Sequence, residues 1–122
     1  MNDRKFNLEE RLLDFSVGVI RIVEALPKTR VGNHIAGQLI KSGTSPYANH
    51  GEAQAAESPK DFIHKLKICL KELRESKRWM ELIEKARLLR QSSKLNNAIQ
   101  ENEELIKIFV ASIKTANRNR NS

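Results

Sequence analysis

At 122 residues with 39% hydrophobic content, the chain has room for one domain with a modest core. Aromatics at 5% and only three prolines argue against a β-sandwich or barrel. A formal charge of +7 points toward an anionic partner, although small basic proteins often carry such a charge for solubility alone.

Cys69 is the only cysteine, which excludes an intrachain disulfide or a cysteine-based zinc cluster and fits a reducing compartment. The start, Met1 to Lys5, leads into a stretch broken by Glu9, Glu10, Arg11 and Asp14, with no apolar run of the signal-peptide type. No run approaches the ~20 apolar residues that span a bilayer. A soluble, cytoplasmic, single-domain protein with no membrane association is expected.

The first helix is predicted over about 7–26. Asn7 and Glu10 have capping-box spacing, and Pro27 ends the helix because the residue before proline is pushed out of α space. Leu8, Leu12, Phe15, Val19, Ile22, Val23 and Leu26 form one broad apolar face. Leu13, Val17 and Ile20 form a second. One face is enough for a monomeric surface helix, so the second predicts either deep burial or a subunit contact.

The second helix is predicted over about 31–57. Ser42-Gly43-Thr44-Ser45-Pro46 has loop composition, yet Tyr47 to Glu57 resumes a helical one. One long helix kinked near Pro46 is favoured over a break at 43–46. The third helix, about 58–90, has the clearest start: Ser58 as cap, Pro59 at the first position and Asp61 after it. Its end carries no glycine and is soft. Gln91-Ser92-Ser93 makes the turn. The fourth helix, about 93–117, uses Leu95, Ile99, Asn102, Ile106, Phe109 and Ile113, and the polar stretch from Asn117 is expected to fray. The fold class is all-α, an up-down-up-down four-helix bundle.

The charge is concentrated in the third helix. Residues 1–59 are balanced, whereas 60–94 carry +6 of the net +7. Lys60, Lys67, Lys71, Arg74, Arg78 and Lys85 fall within roughly a 60° arc at 3.6 residues per turn. Such a line suits phosphate contacts through counterion release, with RNA or DNA as the partner. The plainer reading is a solvated helix face. The helix's glutamates mostly lie off the arc, whereas purely solvating faces often pair opposite charges at i,i+4. Ile68 and Trp79 sit on a third side and, with Leu13, Val17 and Ile20, are the candidate oligomer interface. Trp79 covering one end of the core is the alternative.

Chemistry is not indicated. His50-x-Glu52 has zinc-deaminase spacing but lacks the required cysteine pair. His34, His50 and His64 are too scattered for a metal site, and Cys69, on the core side, reads as a buried thiol. There is no phosphate-binding glycine loop and no nucleophile-base set. No catalytic, cofactor-binding or metal residue is assigned, and a non-enzymatic protein is expected.

Gln38-Leu39-Ile40-Lys41-Ser42, then Ser45, Ala48-Asn49, Glu52, Ser58, Phe62, Leu66 and Glu75, form an ordered set over residues 38–75. This set resembles the signature of the 23S rRNA-intervening sequence proteins, small four-helix bundles. The accessory variability protein (Avd) of diversity-generating retroelements is similar in fold. Ala53 stands where the family usually has glycine, Gly51 precedes Glu52, and Pro46-Tyr47 replaces an apolar-Pro order. The resemblance implies a homo-oligomer, a ring of five, that binds nucleic acid and, in the retroelement case, assists a reverse transcriptase. A structural or protein-interaction scaffold encoded in a ribosomal RNA insertion is the other reading. Ser42, Ser45, Asn49, Glu52 and Glu75, shared with the family, are expected to form a structural polar network around Pro46 rather than a ligand site.

Overall fold

The computed structural model describes residues 7–90 and 92–121. Among these residues the chain forms four α-helices and no strand: α1 (Leu8–Ala25), α2 (Arg30–Gln54), α3 (Pro59–Lys85) and α4 (Ser93–Asn121). Residues 1–6, which carry the leader-segment expectation, lie outside the described residues. So do Gln91 of the expected turn and Ser122 at the end of the expected frayed stretch.

Each helix start satisfies orphan backbone donors with a side chain. Asn7 Oδ1 accepts from Glu10 N at 3.0 Å, and Thr29 Oγ1 from Gly32 N at 3.1 Å. Ser58 Oγ accepts from Asp61 N at 3.1 Å, and Ser92 Oγ from Leu95 N at 3.3 Å. Such caps are worth about 1 kcal/mol each. Leu26, with ψ 148°, takes the extended conformation that a following proline demands. Gly32 is required by the same turn, since a Cβ there would run into the Pro27 carbonyl oxygen.

Helix α2 is continuous through Ser42–Pro46, so the loop-like composition of that stretch has another cause. It is a contact surface. Ser42, Gly43 and Pro46 are all buried, and a Cβ on Gly43 would stand 2.7 Å from Val19 Cγ1 of α1. Thr44 Oγ1 bonds back to the Ile40 carbonyl at 2.6 Å, and Cys69 Sγ donates to the Pro46 carbonyl at 3.5 Å. Small residues here let α1 and α3 approach a helix that already lacks one donor at Pro46.

Three boundaries differ from the sequence expectation. Helix α2 ends at Gln54 rather than 57. Helix α3 ends at Lys85 rather than near 90, because Arg87 adopts φ 55°. The Leu88 N–H then reaches the Ile83 carbonyl at 3.1 Å and the Arg87 N–H the Glu84 carbonyl at 3.2 Å, the Schellman pattern usually built on glycine. Helix α4 continues to Asn121, past the expected end at 117. Arg118 and Arg120 lie in its last turn, where cations suit the negative end of the helix dipole.

Helices α1 and α3 each pack against α2 and α4, so α1 and α3 stand at diagonal corners. The core joins Leu12, Val19, Ile22, Leu39, Leu73, Met80, Ile83, Leu105 and Phe109, with Cys69 among them. Burying such an apolar side chain contributes roughly 1.5–3 kcal/mol. Burial also holds the Cys69 thiol protonated, its pKa pushed up to about 12. Ala53, the residue that replaces a family glycine, places its methyl in this core, whereas Gly51 faces open space.

Candidate nucleic-acid interface

The core pattern of α3 decides what its other side does. Leu66, Cys69, Leu73, Ser76, Met80 and Ile83 are buried, which rotates the basic line outward. Lys60, Lys67, Lys71, Arg74, Arg78 and Lys85 are all exposed. From first to last they span about 37 Å at 1.5 Å per residue.

The surrounding charges are arranged so that this line stays free. On the α2 side, Lys65 Nζ lies 2.8 Å from Glu52 Oε1, and Glu52 holds the Lys65 ammonium above its ordinary pKa. On the α4 side, Lys77 faces Glu103 at 3.9 Å, and further along α4 Lys107 faces Glu104 at 3.7 Å. None of the six stripe residues is in an ion pair among the described residues. Flanking lysines are thus partly neutralised while the stripe keeps its charge. Between α3 and α4, Arg74, Lys77 and Arg78, together with Glu75, Glu81 and Ile106, line an open cleft of about 530 Å³ of mixed charge.

Trp79 is half-buried at the edge of the core, facing α2. Its Nε1 donates to Glu75 Oε2 at 3.1 Å, and its ring meets the His34 ring edge-on at 6.0 Å between centroids. Ile68 is also half-buried. Leu13, Val17 and Ile20 instead stand in solvent on α1 at 42%, 39% and 42% exposure. The five candidate interface residues therefore divide into an exposed ridge on α1 and a half-buried pair on α3.

The shared polar set separates into local pairs. Ser76 Oγ donates to Ser42 Oγ at 2.8 Å in the core, and Ser42 Oγ leans on the Leu39 carbonyl at 3.5 Å. Asn49 Nδ2 donates to the Ser45 carbonyl and hydroxyl at 3.1 and 2.9 Å within α2. Glu52 reaches across to α3 through Lys65, whereas Glu75 bonds Trp79 of its own helix. Of two further buried polar side chains, the spacing of the fourth helix places Asn102 on its inner face, whereas no spacing marks His50 as buried. Asn102 Nδ2 donates to the Leu73 carbonyl at 3.0 Å, and His50 packs edge-on to Phe109 at 6.4 Å. Burial lowers the His50 pKa, with Glu9 opposing. Among the described residues no group of three or more His, Cys, Asp or Glu could hold a metal ion, and no helix is long and apolar enough to cross a membrane.

The profile of the family described as 23S rRNA-intervening sequence protein matches residues 4–111, a span that includes the whole stripe. The chain belongs to the 23S rRNA-intervening sequence protein family. A solved structure from Bacteroides thetaiotaomicron, a protein of unknown function from the S23 ribosomal protein family, is 30% identical in sequence. It superposes with a TM-score of 0.80 over 88% of this chain and 98% of its own. No curated protein matches the chain. Family membership supports the four-helix bundle, and the chemistry of the surface must carry the function.

Proposed function

We propose that this member of the family is a non-enzymatic accessory protein that binds RNA or DNA as a homo-oligomer, a ring of five subunits. The observation that carries the binding is the exposed line of six unpaired cations on α3, flanked by lysines whose charge is met by glutamates. Six phosphate contacts would release six sets of counterions. No exposed aromatic lies on the line, and Trp79 is held by Glu75 and His34, so contact is with the phosphate backbone and not through base stacking. Binding is therefore tolerant of sequence. In the resemblance to Avd, the partner served is a reverse transcriptase.

Fluorescence anisotropy with labelled RNA and DNA oligonucleotides tests the reading. Affinity is expected to fall roughly 10³-fold between about 50 and 200 mM salt. Replacing Lys67, Lys71, Arg74 and Arg78 with glutamate is expected to abolish binding while leaving the helical spectrum intact. Binding that survives the fourfold change removes the stripe from the interface. No binding at low salt, together with a nuclease-resistant protein partner captured on the same surface, would favour the scaffold reading.

A further inference from the structure

Followed at three- and four-residue steps from Lys60 to Lys85, the basic row of α3 skips two positions, His64 and Leu82. Both are exposed, and no carboxylate interrupts the row. Carboxylates stand on its two sides instead. With roughly 100° per residue, Glu81 lies about 50° from the middle of the row toward α4, and Glu75 about 70° toward α2. Farther out are Glu103 of α4, 3.9 Å from Lys77, and Glu52 of α2, 2.8 Å from Lys65. The row is therefore a straight positive lane with a negative verge on each side. The verges are about 12 Å apart around the helix surface.

We propose that this lane binds single-stranded nucleic acid and discriminates against duplex. This rests on the nucleic-acid reading above and narrows it to one class of polymer. Two features decide. The first is straightness. The row runs about 37 Å along one rigid helix. Each strand of a duplex winds through a full turn in about 34 Å. It follows a straight row for a few phosphates and then curves away, leaving Lys60 and Lys85 over a groove. A single strand has no twist imposed on it and can run the whole length, one phosphate to each cation. The second feature is width. In a duplex the other strand's phosphates follow across a groove about 6 or 12 Å wide. That distance carries them over Glu81 or Glu75, or over Glu103 or Glu52 beyond. A single strand brings one line of phosphates, and its bases turn away from the lane into solvent.

The test uses the full chain and an unstructured, mixed-sequence strand of about 16 nucleotides, alone and annealed to its complement, in DNA and in RNA. Each lost phosphate contact costs roughly tenfold in affinity at about 50 mM salt, so the strand is expected to bind at least about tenfold tighter than the duplex. Lys60→Gln and Lys85→Gln should each lower the salt slope for the strand by about 0.7 and leave the slope for the duplex unchanged. Glu81→Gln with Glu103→Gln removes part of the verge on the α4 side, and is expected to raise duplex affinity more than strand affinity. A duplex that binds as tightly as the strand, with Lys60 and Lys85 counting equally in both, would overturn the single-strand assignment. Nucleic-acid binding itself would still stand if glutamate at Lys67, Lys71, Arg74 and Arg78 abolished that binding. No binding of either form at low salt would remove the nucleic-acid reading first.

Discussion

Val19 of α1 lies against the bare Cα of Gly43 in α2, so closely that a methyl there would approach its Cγ1 to 2.7 Å and its Cγ2 to 2.8 Å. The Ser16 hydroxyl, beside this contact, donates to the Gly43 carbonyl at 3.4 Å. Gly43→Ala is expected to destabilise by about 1–3 kcal/mol through overpacking, even though alanine is the better helix former. Val19→Ala in the same chain should recover part of that loss, making the pair non-additive. Urea unfolding of the four proteins of the cycle measures this, and a neutral Gly43→Ala would show that the helices do not need the close approach.

Arg11 grips Glu101 with two bonds, Nε to Oε2 at 2.9 Å and Nη2 to Oε1 at 2.7 Å, tying α1 to α4. This hydrogen bond raises the Arg11 pKa. Both side chains remain partly in water, so a coupling of only about 0.5–1 kcal/mol is expected from an Arg11→Met, Glu101→Gln double-mutant cycle. The coupling should shrink in about 1 M salt, where the Debye length is roughly 3 Å.

Arg87 is the single non-glycine residue with positive φ among those described, and it stops α3. An L-residue pays roughly 1–2 kcal/mol in that conformation. Arg87→Gly is expected to raise stability by about 0.5–1 kcal/mol, and Arg87→Ala, which keeps the strain, should not. Thermal melts distinguish the two substitutions. Equal effects would assign the change to the lost charge.

His50 is buried on α2, with its Nε2 3.3 Å from Gln54 Nε2, the Phe109 ring beside it, and Nδ1 without a partner among the described residues. Burial depresses its pKa below the ordinary 6.5. The unfolded chain therefore takes up the proton more readily than the folded one. Its contribution to stability is fully present above pH 6.5 and is lost as pH falls through 6.5 toward the lower folded value. The urea midpoint should drop over that interval, and His50→Leu should flatten the drop. An unchanged slope in His50→Leu would assign the acid sensitivity to other groups.

Much of the architecture follows from local rules. Asn7, Thr29, Ser58 and Ser92 mark helix starts by their cap chemistry; Asn7 and Ser58 are predicted as caps from the pattern, whereas Thr29 and Ser92 are read only as turn residues. The four-residue and three-residue spacing of Leu12, Leu39, Leu73 and Phe109 with their neighbours predicts the buried faces, because a helix repeats every 3.6 residues whatever surrounds it. The basic line is equally local, since one rigid helix carries all six residues.

What the tertiary structure alone decides concerns pairs on different helices. That Ser42–Pro46 is a packing surface rather than a loop depends on Val19, Cys69 and Ser76, which lie far away in sequence. Trp79 and the α1 ridge look equivalent as apolar residues off the main face. Yet Trp79 has His34 of α2 beside it and is half-buried, whereas Leu13 is exposed, a difference set by which helix stands next to which. A cleft over Gly18 exists because α4 brings Ala98 and Lys94 alongside α1. The sequence by itself determined the four helices, their inner faces and the line of charge. Docking of the helices decided which remaining apolar side chains became core and which stayed exposed. That choice depends on interhelical distance, which no local pattern encodes.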